Sequence, residues 1–382
     1  MKVVFLLQDS RSLYGAEQAT LRLVSGLKSA GADVRAILME ELRLRNAQSP
    51  LADSLRALVD VDVVPLRKRW SPALVRRIRE TMASSPHAIL HSTGYKADCH
   101  AAAASNRGSA FPLVATVHGW LFRRNLKERL FQELDVRALR TFSRVVVLSR
   151  FYESYLRRRG FHPLQLARIP AGFDPGEWIE RPVAQSLWSQ TNAPFVFGAL
   201  GRLSQEKNHA LLLRAAAVLA KELDTSPRPW SIRIAGDGPL LPSLRRLARR
   251  LDVEDRVEWL GWSDSNRFFR SVHVLVQPSR VENQPQSVME AMAWLRPVLA
   301  TRSGGLPELV SHGETGWLVP DRDARAMARA MKDCLVSPER ARAAGERGRD
   351  VLERNFPFAQ MVDDHLGLYD ALLAGFRRNP RS

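Results

Sequence analysis

Two glutamates separated by seven residues, Glu282 and Glu290, are the side chains whose spacing points most directly to chemistry. Glu282 follows a strand-like run ending at Pro278, and Glu290 falls within an amphipathic helix pattern. A helix N-terminus between them offers N–H groups and a positive dipole end, which suit a phosphate. Carboxylates repel a diphosphate but accept hydrogen bonds from hydroxyls. The segment therefore predicts a ligand with hydroxyls at both ends and a diphosphate in the middle, as in a nucleotide sugar.

The segment Gly201–Asn208 carries cations that suit such a diphosphate. It follows a strand-like run, and Gly201 permits a sharp exit from that strand. The forked guanidinium of Arg202 and the nearby ammonium of Lys207 form a good clamp for a leaving diphosphate. Taken alone, the segment is better explained by two surface cations in a loop between a strand and a helix.

Two glycine-containing turns also follow strand-like runs and open helices, at Gly236–Pro239 and Gly304–Glu308. Turn geometry alone accounts for both motifs, with proline suited to the first helical turn. They are therefore evidence for the fold.

Weaker signals lie in the first half of the chain. Gly15, after Tyr14, leaves room for a substrate near a helix N-terminus. His118 ends a strand pattern and precedes a glycine, which is as consistent with a catalytic role as with a structural one. The Asp-x-Asp motifs at Asp60–Asp62 and Asp321–Asp323 fit a strand edge and a helix start, so no metal site is predicted. A Gly-x-Gly-x-x-Gly dinucleotide fingerprint is missing.

The composition indicates a two-domain globular protein. The chain has 382 residues, of which 45% are hydrophobic and 25% are charged. Cys99 and Cys334 lie far apart and form no metal or disulfide pattern, which favours a reducing cytosol. The first apolar run is too short for a signal peptide, and no stretch is long enough to cross a bilayer. Any membrane contact is therefore expected to be peripheral, at the inner face of the cytoplasmic membrane.

The formal net charge of +17 is concentrated in the first half, before Arg181. It indicates an anionic partner, either an acidic lipid surface or a phosphorylated acceptor. Trp120–Arg124 and Arg67–Trp70 combine aromatic and basic residues, which suits an interface with lipid. An Arg-rich genome would explain the charge equally well without any partner. Nucleic acid is not expected, because no DNA- or RNA-binding motif accompanies the arginines.

Short apolar runs alternate with helical patterns along the whole chain, which predicts an α/β fold with parallel sheets. The pattern favours two doubly wound domains facing each other across a cleft, with ligands beyond the carboxyl ends of the strands. Asp174–Pro194, which contains three prolines, is the best linker. The predicted strands are 3–7, 34–39, 88–91, 113–118, 145–148, 165–169, 195–200, 231–235, 257–260, 274–277 and 298–300. The predicted domains are 1–185, 186–355 and a terminal segment, 356–382.

Together these motifs resemble the retaining GT-B glycosyltransferases of family 4, also called glycosyl transferases group 1. The match runs from Gly15–Glu17 through Thr116–Gly119, Val147–Ser149 and Ile169–Asp174 to the motifs of the second half. The resemblance implies two Rossmann-like domains: an N-terminal acceptor-binding domain and a C-terminal nucleotide-sugar-binding domain. It also implies a final helix, near 359–376, that crosses back to the first domain.

The resemblance further implies roles for individual residues. Arg202 and Lys207 would hold the donor diphosphate, and Glu290 the ribose hydroxyls. Glu282 would contact the sugar, and His118 would lie by the anomeric carbon. The other residues implied on the donor side are Asn283, Gln284, Gln286, Ser287 and Gly236.

Three departures from the family pattern affect these expectations. Many members have Gly-Phe-Gly where this chain has Asn283–Pro285, so Pro285 removes one N–H donor that the Gln284 amide can replace. Leu295 and Tyr14 each stand where the family usually has glycine. Tyr14 leaves less room on the acceptor side.

The expected reaction is transfer of a sugar from a nucleotide diphosphate to an acceptor hydroxyl with retained configuration and no metal, for envelope polysaccharide, lipopolysaccharide or glycolipid. No cofactor is predicted beyond the nucleotide-sugar substrate. Two alternatives remain open. One is a nucleotide-sugar epimerase on the same fold, which needs an acid/base pair and no acceptor. The other is a non-catalytic protein that binds nucleotide sugars at membranes.

Overall fold

The computed structural model describes residues 1–9, 13–42, 49–105, 111–120, 126–174, 185–189, 194–222 and 229–378. The chain divides into two compact units. The first unit comprises Met1–Gly172 together with Phe358–Ser382, and the second comprises Phe173–Pro357. Each unit is built around one parallel sheet.

The first unit contains a seven-stranded parallel sheet with strand order β3-β2-β1-β4-β5-β6-β7. Its strands are β1 Lys2–Gln8, β2 Asp33–Glu41, β3 Asp60–Leu66, β4 Ala88–Thr93, β5 Leu113–Val117, β6 Arg144–Val147 and β7 Leu166–Arg168. Its helices are α1 Gly15–Ser29, α2 Pro50–Leu58, α3 Pro72–Ala83, α4 Tyr95–Ala104, α5 Leu126–Leu139, α6 Arg150–Arg158 and the final helix of the chain, α14 Phe358–Arg378. Buried side chains pack on both faces of this sheet.

The second unit contains a six-stranded parallel sheet with strand order β10-β9-β8-β11-β12-β13. Its strands are β8 Phe195–Leu200, β9 Trp230–Ala235, β10 Val257–Gly261, β11 Val274–Gln277, β12 Val298–Thr301 and β13 Gly316–Val319. Its helices are α7 His209–Glu222, α8 Leu241–Arg250, α9 Ser265–Phe269, α10 Gln286–Ala293, α11 Leu306–Leu309, α12 Ala324–Val336 and α13 Pro338–Asn355.

Each sheet reverses its direction of winding once, and the reversal fixes where a ligand can enter. In the first sheet the reversal lies between β1 and β4, and in the second it lies between β8 and β11. The loops that leave the carboxyl ends of two such strands diverge to opposite faces of the sheet and open a crevice. Lys207 follows β8 and Glu282 follows β11, so the cation and the carboxylate predicted from sequence belong to the same crevice.

The predicted strands correspond to strands of the model, but the prediction missed β3 and β13. Strand β3 contains Asp60, Asp62 and Pro65 and is only partly buried, so it lacks the apolar run of a central strand. Strand β13 has four residues and begins at Gly316, whose Cβ would lie 2.1 Å from the Val298 carbonyl oxygen. Both are outer strands of their sheets, where the hydrophobic pattern is weakest.

The final helix, α14, packs against α1 of the first unit. Gly26 of α1 makes the close approach possible, because a Cβ there would lie 2.4 Å from the Val362 side chain. Tyr369 and Met361 of α14 are buried in the same core cluster as the strands. The predicted linker, Asp174–Pro194, lies mostly outside the described residues.

Candidate functional site

The loops after β8 and β11 in the second unit meet through an ion pair between Lys207 and Glu282. Lys207 Nζ lies 2.7 Å from Glu282 Oε1. Gln277 Nε2 and Ser279 Oγ donate to the same oxygen, each at 2.7 Å. The three side-chain hydrogen bonds to the Glu282 carboxylate therefore converge on Oε1. The Glu282 side chain is 9% exposed and that of Lys207 is 24% exposed, so the ammonium lies at the more open end.

The Glu282 backbone is held by the loop after β12. Gly305 N–H donates to the Glu282 carbonyl oxygen at 3.0 Å. Gly304 has φ +55°, and a Cβ there would lie 1.8 Å from the same oxygen. Ser303 Oγ donates to the Ser279 carbonyl at 2.9 Å. The glycine pair attributed above to turn geometry therefore has a second purpose, which is to let one loop position another.

Hydrogen bonds on either side of Lys207 hold its loop against the loop that contains Glu282. Asn208 has φ +52°, a left-handed conformation that asparagine tolerates well, and its Nδ2 donates to the Pro278 carbonyl at 3.1 Å. Arg280 N–H donates to the Glu206 carbonyl at 2.8 Å. Lys207 thus extends from a loop with fixed ends. The long side chain needs little reorganisation to contact a ligand.

Helix α10 begins at Gln286, between the two glutamates, as predicted. Pro285 is its N-cap residue and provides no side-chain hydrogen bond to the first turn. Ser287 Oγ donates to Gln277 Oε1 at 3.2 Å, which links the helix to the Glu282 cluster. Asn283, Gln284 and Gln286 are buried at this junction. Glu290 lies one turn further along α10 and is 4% exposed.

Arg202 and Gly236 lie on the two neighbouring loops of the same unit. Arg202 is exposed, and its guanidinium has no ion-pair or hydrogen-bond partner among the described residues. Gly236 has φ +133°, and a Cβ there would lie 2.0 Å from the Gly201 carbonyl oxygen. The Gly236 loop therefore packs directly against the Gly201–Asn208 loop, and the absence of a side chain at Gly236 allows this contact.

His209, the first residue of α7, is fully enclosed just behind the Lys207 loop. Burial lowers the pKa of His209 to about 3, and the positive charge of Lys207 contributes in the same direction. The imidazole is therefore neutral at neutral pH. Of the two neighbouring basic residues, Lys207 and His209, Lys207 therefore carries the positive charge.

In the first unit, a cavity of about 630 Å³ lies at the carboxyl ends of β1, β4 and β5. This is the point where the winding of the first sheet reverses. Ala16, Glu17 and Thr20 of α1 line it, whereas Tyr14 and Gly15 stand before them at the start of the helix. The remaining lining residues come from the strand ends and the loops that follow them, from α2, α4 and α5, and from the loop that contains Arg69.

His118 lines this cavity and is half-buried. Burial lowers the pKa of His118 to about 4, and His365 contributes in the same direction. Its Nε2 lies 3.5 Å from Thr20 Oγ1, whose own hydroxyl donates to the Ala16 carbonyl at 2.9 Å. His118 is therefore a neutral imidazole at physiological pH, able to exchange hydrogen bonds with a ligand hydroxyl.

Behind His118 lies a layer of buried aromatic and imidazole groups from α14 and the sheet. His91 contacts the Tyr369 hydroxyl at 2.6 Å through Nδ1 and Thr116 Oγ1 at 2.8 Å through Nε2. The rings of His91 and His365 stack with centroids 6.0 Å apart. Burial lowers the pKa of both imidazoles. The final helix thus supports the cavity of the unit to which it returns.

Two buried carboxyl groups close the other side of the cavity. Ser92 Oγ donates to Asp98 Oδ1 at 2.5 Å, and Trp120 Nε1 donates to Asp135 Oδ2 at 2.6 Å. Burial raises the pKa of Asp98 well above its usual range, and the charge of Asp135 raises it further. Burial also raises the pKa of Asp135. The pair therefore holds a proton at a pH where an isolated aspartate has none.

Sequence reasoning missed several of these residues. Gln277 and Ser279 hold Glu282, and Asp98 and Asp135 shape the cavity of the first unit. The strand end before Glu282 contained a usable signal, because a glutamine and a serine there can only satisfy their polar groups locally. Asp98 and Asp135 lie in helices within otherwise ordinary patterns. Their proximity depends on how α4 and α5 pack.

Within the part of the chain that the structure describes, no three His, Cys, Asp or Glu side chains form a group suited to a metal ion. Asp323 of the second Asp-x-Asp motif caps α12 by accepting a hydrogen bond from Ala326 N–H at 2.8 Å. Asp62 of the first pairs with Arg77 at 2.5 Å. Of the helices described, none combines the length and apolar character needed to cross a membrane.

Comparison with known proteins matches both halves of the chain to glycosyltransferase families. The family described as glycosyl transferases group 1 matches residues 194–337, and the glycosyl transferase 4-like domain matches residues 14–172. A GDP-mannose-dependent phosphatidylinositol monomannoside mannosyltransferase of Mycolicibacterium smegmatis is 28% identical over 266 residues, 64% of this chain and 66% of that protein. The lipopolysaccharide core biosynthesis glycosyltransferase LpsE of Rhizobium meliloti is 32% identical over 183 residues, 48% of this chain and 51% of that protein.

The chain spans between 47% and 66% of the length of the first four curated relatives it matches. The likeness in structure is more complete. The Anabaena protein Alr3699/HepE, solved in complex with UDP and glucose, superposes with a TM-score of 0.82 at 21% identity, covering 97% of this chain and 100% of that one. This match establishes the GT-B fold.

Proposed function

Because the chain belongs to the group 1 family of GT-B glycosyltransferases, also called family 4, we propose that it moves a sugar from a nucleotide diphosphate to an acceptor hydroxyl. The observation that carries the proposal is the Lys207–Glu282 pair at the switch point of the second sheet. It sets an ammonium suited to a diphosphate beside a carboxylate suited to sugar hydroxyls. The proposed donor-side set is completed by Arg202, Gly236, Asn283, Gln284, Gln286, Ser287 and Glu290.

The proposed reaction retains the anomeric configuration and needs no metal. The bond between the anomeric carbon and the diphosphate oxygen breaks, and the acceptor oxygen bonds to the same face of that carbon. The acceptor proton passes to the leaving phosphate. Lys207 and Arg202 stabilise the charge that develops on the diphosphate. Glu282 is a poor internal nucleophile because three donors already engage its Oε1.

His118 is proposed to contact the transferred sugar. A neutral imidazole suits this role, because it accepts or donates a hydrogen bond to a hydroxyl without adding positive charge. The acceptor is proposed to bind in the cavity of the first unit, beyond Tyr14 and Gly15. The proposed product belongs to envelope polysaccharide, lipopolysaccharide or glycolipid synthesis, which is the type of work that the names of the two curated relatives describe.

The test is an assay of nucleotide release from a panel of nucleotide sugars, with and without saccharide and glycolipid acceptors. We expect turnover that depends on an acceptor and is unchanged by EDTA, and a product whose anomeric configuration, read by NMR, matches the donor. An epimerised nucleotide sugar formed without acceptor would support the epimerase alternative instead. Binding of a nucleotide sugar without turnover on any acceptor would support the non-catalytic alternative.

We also propose that the first unit works at an anionic membrane surface. Helix α5 carries a row of exposed leucines, with Leu126, Leu130 and Leu134 being 80%, 58% and 41% exposed. Their spacing of four residues places them on one face of the helix. Arg129 and Arg137 are exposed on the same helix, and Glu133 is neutralised by its ion pair with Arg159. Apolar and basic groups together suit the boundary of an acidic bilayer.

Sedimentation with vesicles tests this part of the proposal. The double variant Leu130→Ser/Leu134→Ser should bind vesicles containing acidic lipid at least about tenfold more weakly than the wild type. Leu164→Ser is the matched control, because Leu164 is 72% exposed in the same unit but is not part of α5. Unchanged binding of the double variant, or equal binding to neutral vesicles, would contradict a membrane contact through α5. The predicted Trp120–Arg124 surface lies, after Trp120, outside the described residues.

A further inference from the structure

The cavity of the first unit is lined on one side by a single face of α5. Glu128, Phe131, Gln132 and Asp135 follow the spacing that places residues on one side of a helix, and all four line the cavity. Tyr95 and Asp98 of α4 line it from the neighbouring helix. Aromatic rings and carboxyl groups therefore alternate along the same wall.

Asp135 has an unused acceptor in this wall. Its side chain is buried, and Trp120 donates to Oδ2. Oδ1 accepts no hydrogen bond from any N–H or hydroxyl of the described residues. A carboxylate has about four lone-pair positions. The Trp120 indole fills one, and the proton held by the Asp98–Asp135 pair fills a second. The remaining lone-pair positions of the Asp135 carboxylate can accept a hydrogen bond from a ligand.

The charge of the wall selects the kind of ligand. Glu17 and Glu128 line the cavity together with the aspartate pair, and among the described residues that line it Arg69 is the one basic side chain of the Lys/Arg type. The Arg69 guanidinium lies over the Phe131 ring, 4.6 Å from its centroid. Carboxyl groups outnumber that cation, so the wall opposes a phosphate or a carboxylate on the ligand. It favours hydroxyl donors.

The aromatic rings supply the complementary contact. Tyr95 and Phe131 stack with centroids 5.4 Å apart and an interplanar angle of 29°. Both rings border the cavity. A pyranose ring presents C–H groups on its faces and hydroxyls at its edge. An aromatic surface beside carboxylates therefore matches both parts of such a ring.

We propose that this wall makes the enzyme specific for an acceptor that ends in an uncharged saccharide residue. Asp135 accepts a hydrogen bond from a hydroxyl of that residue, and the Tyr95–Phe131 ring pair contacts its C–H face. Saccharides that carry a phosphate or a carboxylate at this residue are rejected. The proposal rests on the transferase function proposed above, to which it adds the class of acceptor.

The test is calorimetric titration of the full-length protein with two sets of probes. The neutral set comprises the methyl glycosides of glucose, mannose, galactose and N-acetylglucosamine. The anionic set comprises glucose 6-phosphate, mannose 6-phosphate and methyl glucuronide. We expect wild-type protein to bind at least one neutral glycoside at least about tenfold more tightly than any anionic probe. Asp135→Asn should weaken the neutral glycoside by about tenfold or more, because it removes the charge from the acceptor.

Two further variants keep the result interpretable. Phe131→Leu should also weaken the neutral glycoside while leaving the discrimination against anionic probes intact. Asp363→Asn removes an exposed carboxylate of α14 in the same unit and should bind as the wild type does. If Asp135→Asn lowers the unfolding temperature, the Phe131→Leu result still tests the wall. Undiminished binding by Phe131→Leu would then overturn it.

Preference for an anionic probe, binding of no neutral glycoside, or wild-type affinity in Asp135→Asn would overturn the proposal. Titration with the nucleotide-sugar panel separates this failure from failure of the proposed function. If the protein binds a nucleotide sugar but shows no such preference, the acceptor proposal fails and the proposed function stands. A chain that binds no nucleotide sugar fails the proposed function itself.

Discussion

The loops after β8 and β11 in the second unit and the cavity of the first unit hold their ionisable groups in opposite ways. Lys207 and Glu282 are opposite charges in contact, 2.7 Å apart. Asp98 and Asp135 are like charges brought together in a buried place, where a proton must be retained. The first arrangement suits a ligand that carries full charge. The second suits a ligand that carries only hydroxyl groups.

Removing Lys207 should break this contrast with the largest effect. Lys207→Ala deletes the ion-pair partner of Glu282 and the cation expected to stabilise the leaving diphosphate. We expect sugar transfer to fall by about 10²–10³-fold, measured as kcat/KM for the donor. Lys221→Ala is the matched control, because Lys221 is an exposed cation at the other end of α7. A Lys207→Ala enzyme with wild-type activity would show that the charge is supplied elsewhere.

Replacing Gly304 tests whether the Glu282 loop depends on its neighbour. Gly304→Ala places a Cβ 1.8 Å from the Glu282 carbonyl oxygen at φ +55°, so we expect a loss of about 3–5 kcal/mol in unfolding free energy. Gly313→Ala is the matched control, since Gly313 has φ +81° but nothing within 4 Å of its Cβ position. It should lose only about 1–2 kcal/mol from backbone strain. If chemical denaturation shows equal losses of unfolding free energy in the two variants, backbone strain, and not the close approach to Glu282, causes the loss in Gly304→Ala.

The two units should also differ in how acid destabilises them. His209 is neutral in the folded second unit, whereas in the unfolded chain it gains a proton below about pH 6.5. Its contribution to stability is therefore complete above that pH and is lost as the pH falls toward 3. The slope is about 1.4 kcal/mol per pH unit. In the first unit His118 and His365 act in the same direction.

The contribution of Asp98 to stability changes with pH in the opposite direction to that of the two histidines. Its raised pKa means that the folded state keeps a proton that the unfolded chain releases above about pH 4, so this contribution decreases as the pH rises. His209→Leu should therefore flatten the acid dependence of the second unit, measured by urea unfolding between pH 5 and pH 7. His87→Asn, at an exposed position with φ +62°, is the control. An unchanged slope in His209→Leu would show that His209 is protonated in the folded state.

The difference between the units also explains what could be predicted from the sequence. In the second unit the candidate site residues lie in contiguous loops, so Glu282 and Lys207, which pair in the structure, were singled out from motif spacing. The residues that hold them were not, because the need for Gly304 depends on the Glu282 carbonyl, which approaches it only after folding. In the first unit, Asp98 and Asp135 lie in different helices and become a pair only when α4 packs on α5.

The departure from the family pattern at Leu295 also depends on contacts that form only in the folded protein. Leu295 stands where the family usually has glycine, and it adopts φ +56°, a conformation that glycine favours. Leu295 is also fully buried, so apolar burial offsets the backbone strain.

The change of unit falls between Gly172 and Phe173, ahead of the prolines from which the boundary at 185 was predicted. Composition marks a linker only loosely, because contacts decide where a unit ends.

The most direct test of the central claim is hydrogen–deuterium exchange with and without a saturating nucleotide diphosphate sugar. The claim is that the loops joined by Lys207 and Glu282 hold the nucleotide and its diphosphate. We expect ligand-dependent protection in the peptides that cover 201–208 and 278–290. Protection confined to other segments, or no protection by any nucleotide sugar at saturation, would contradict the account.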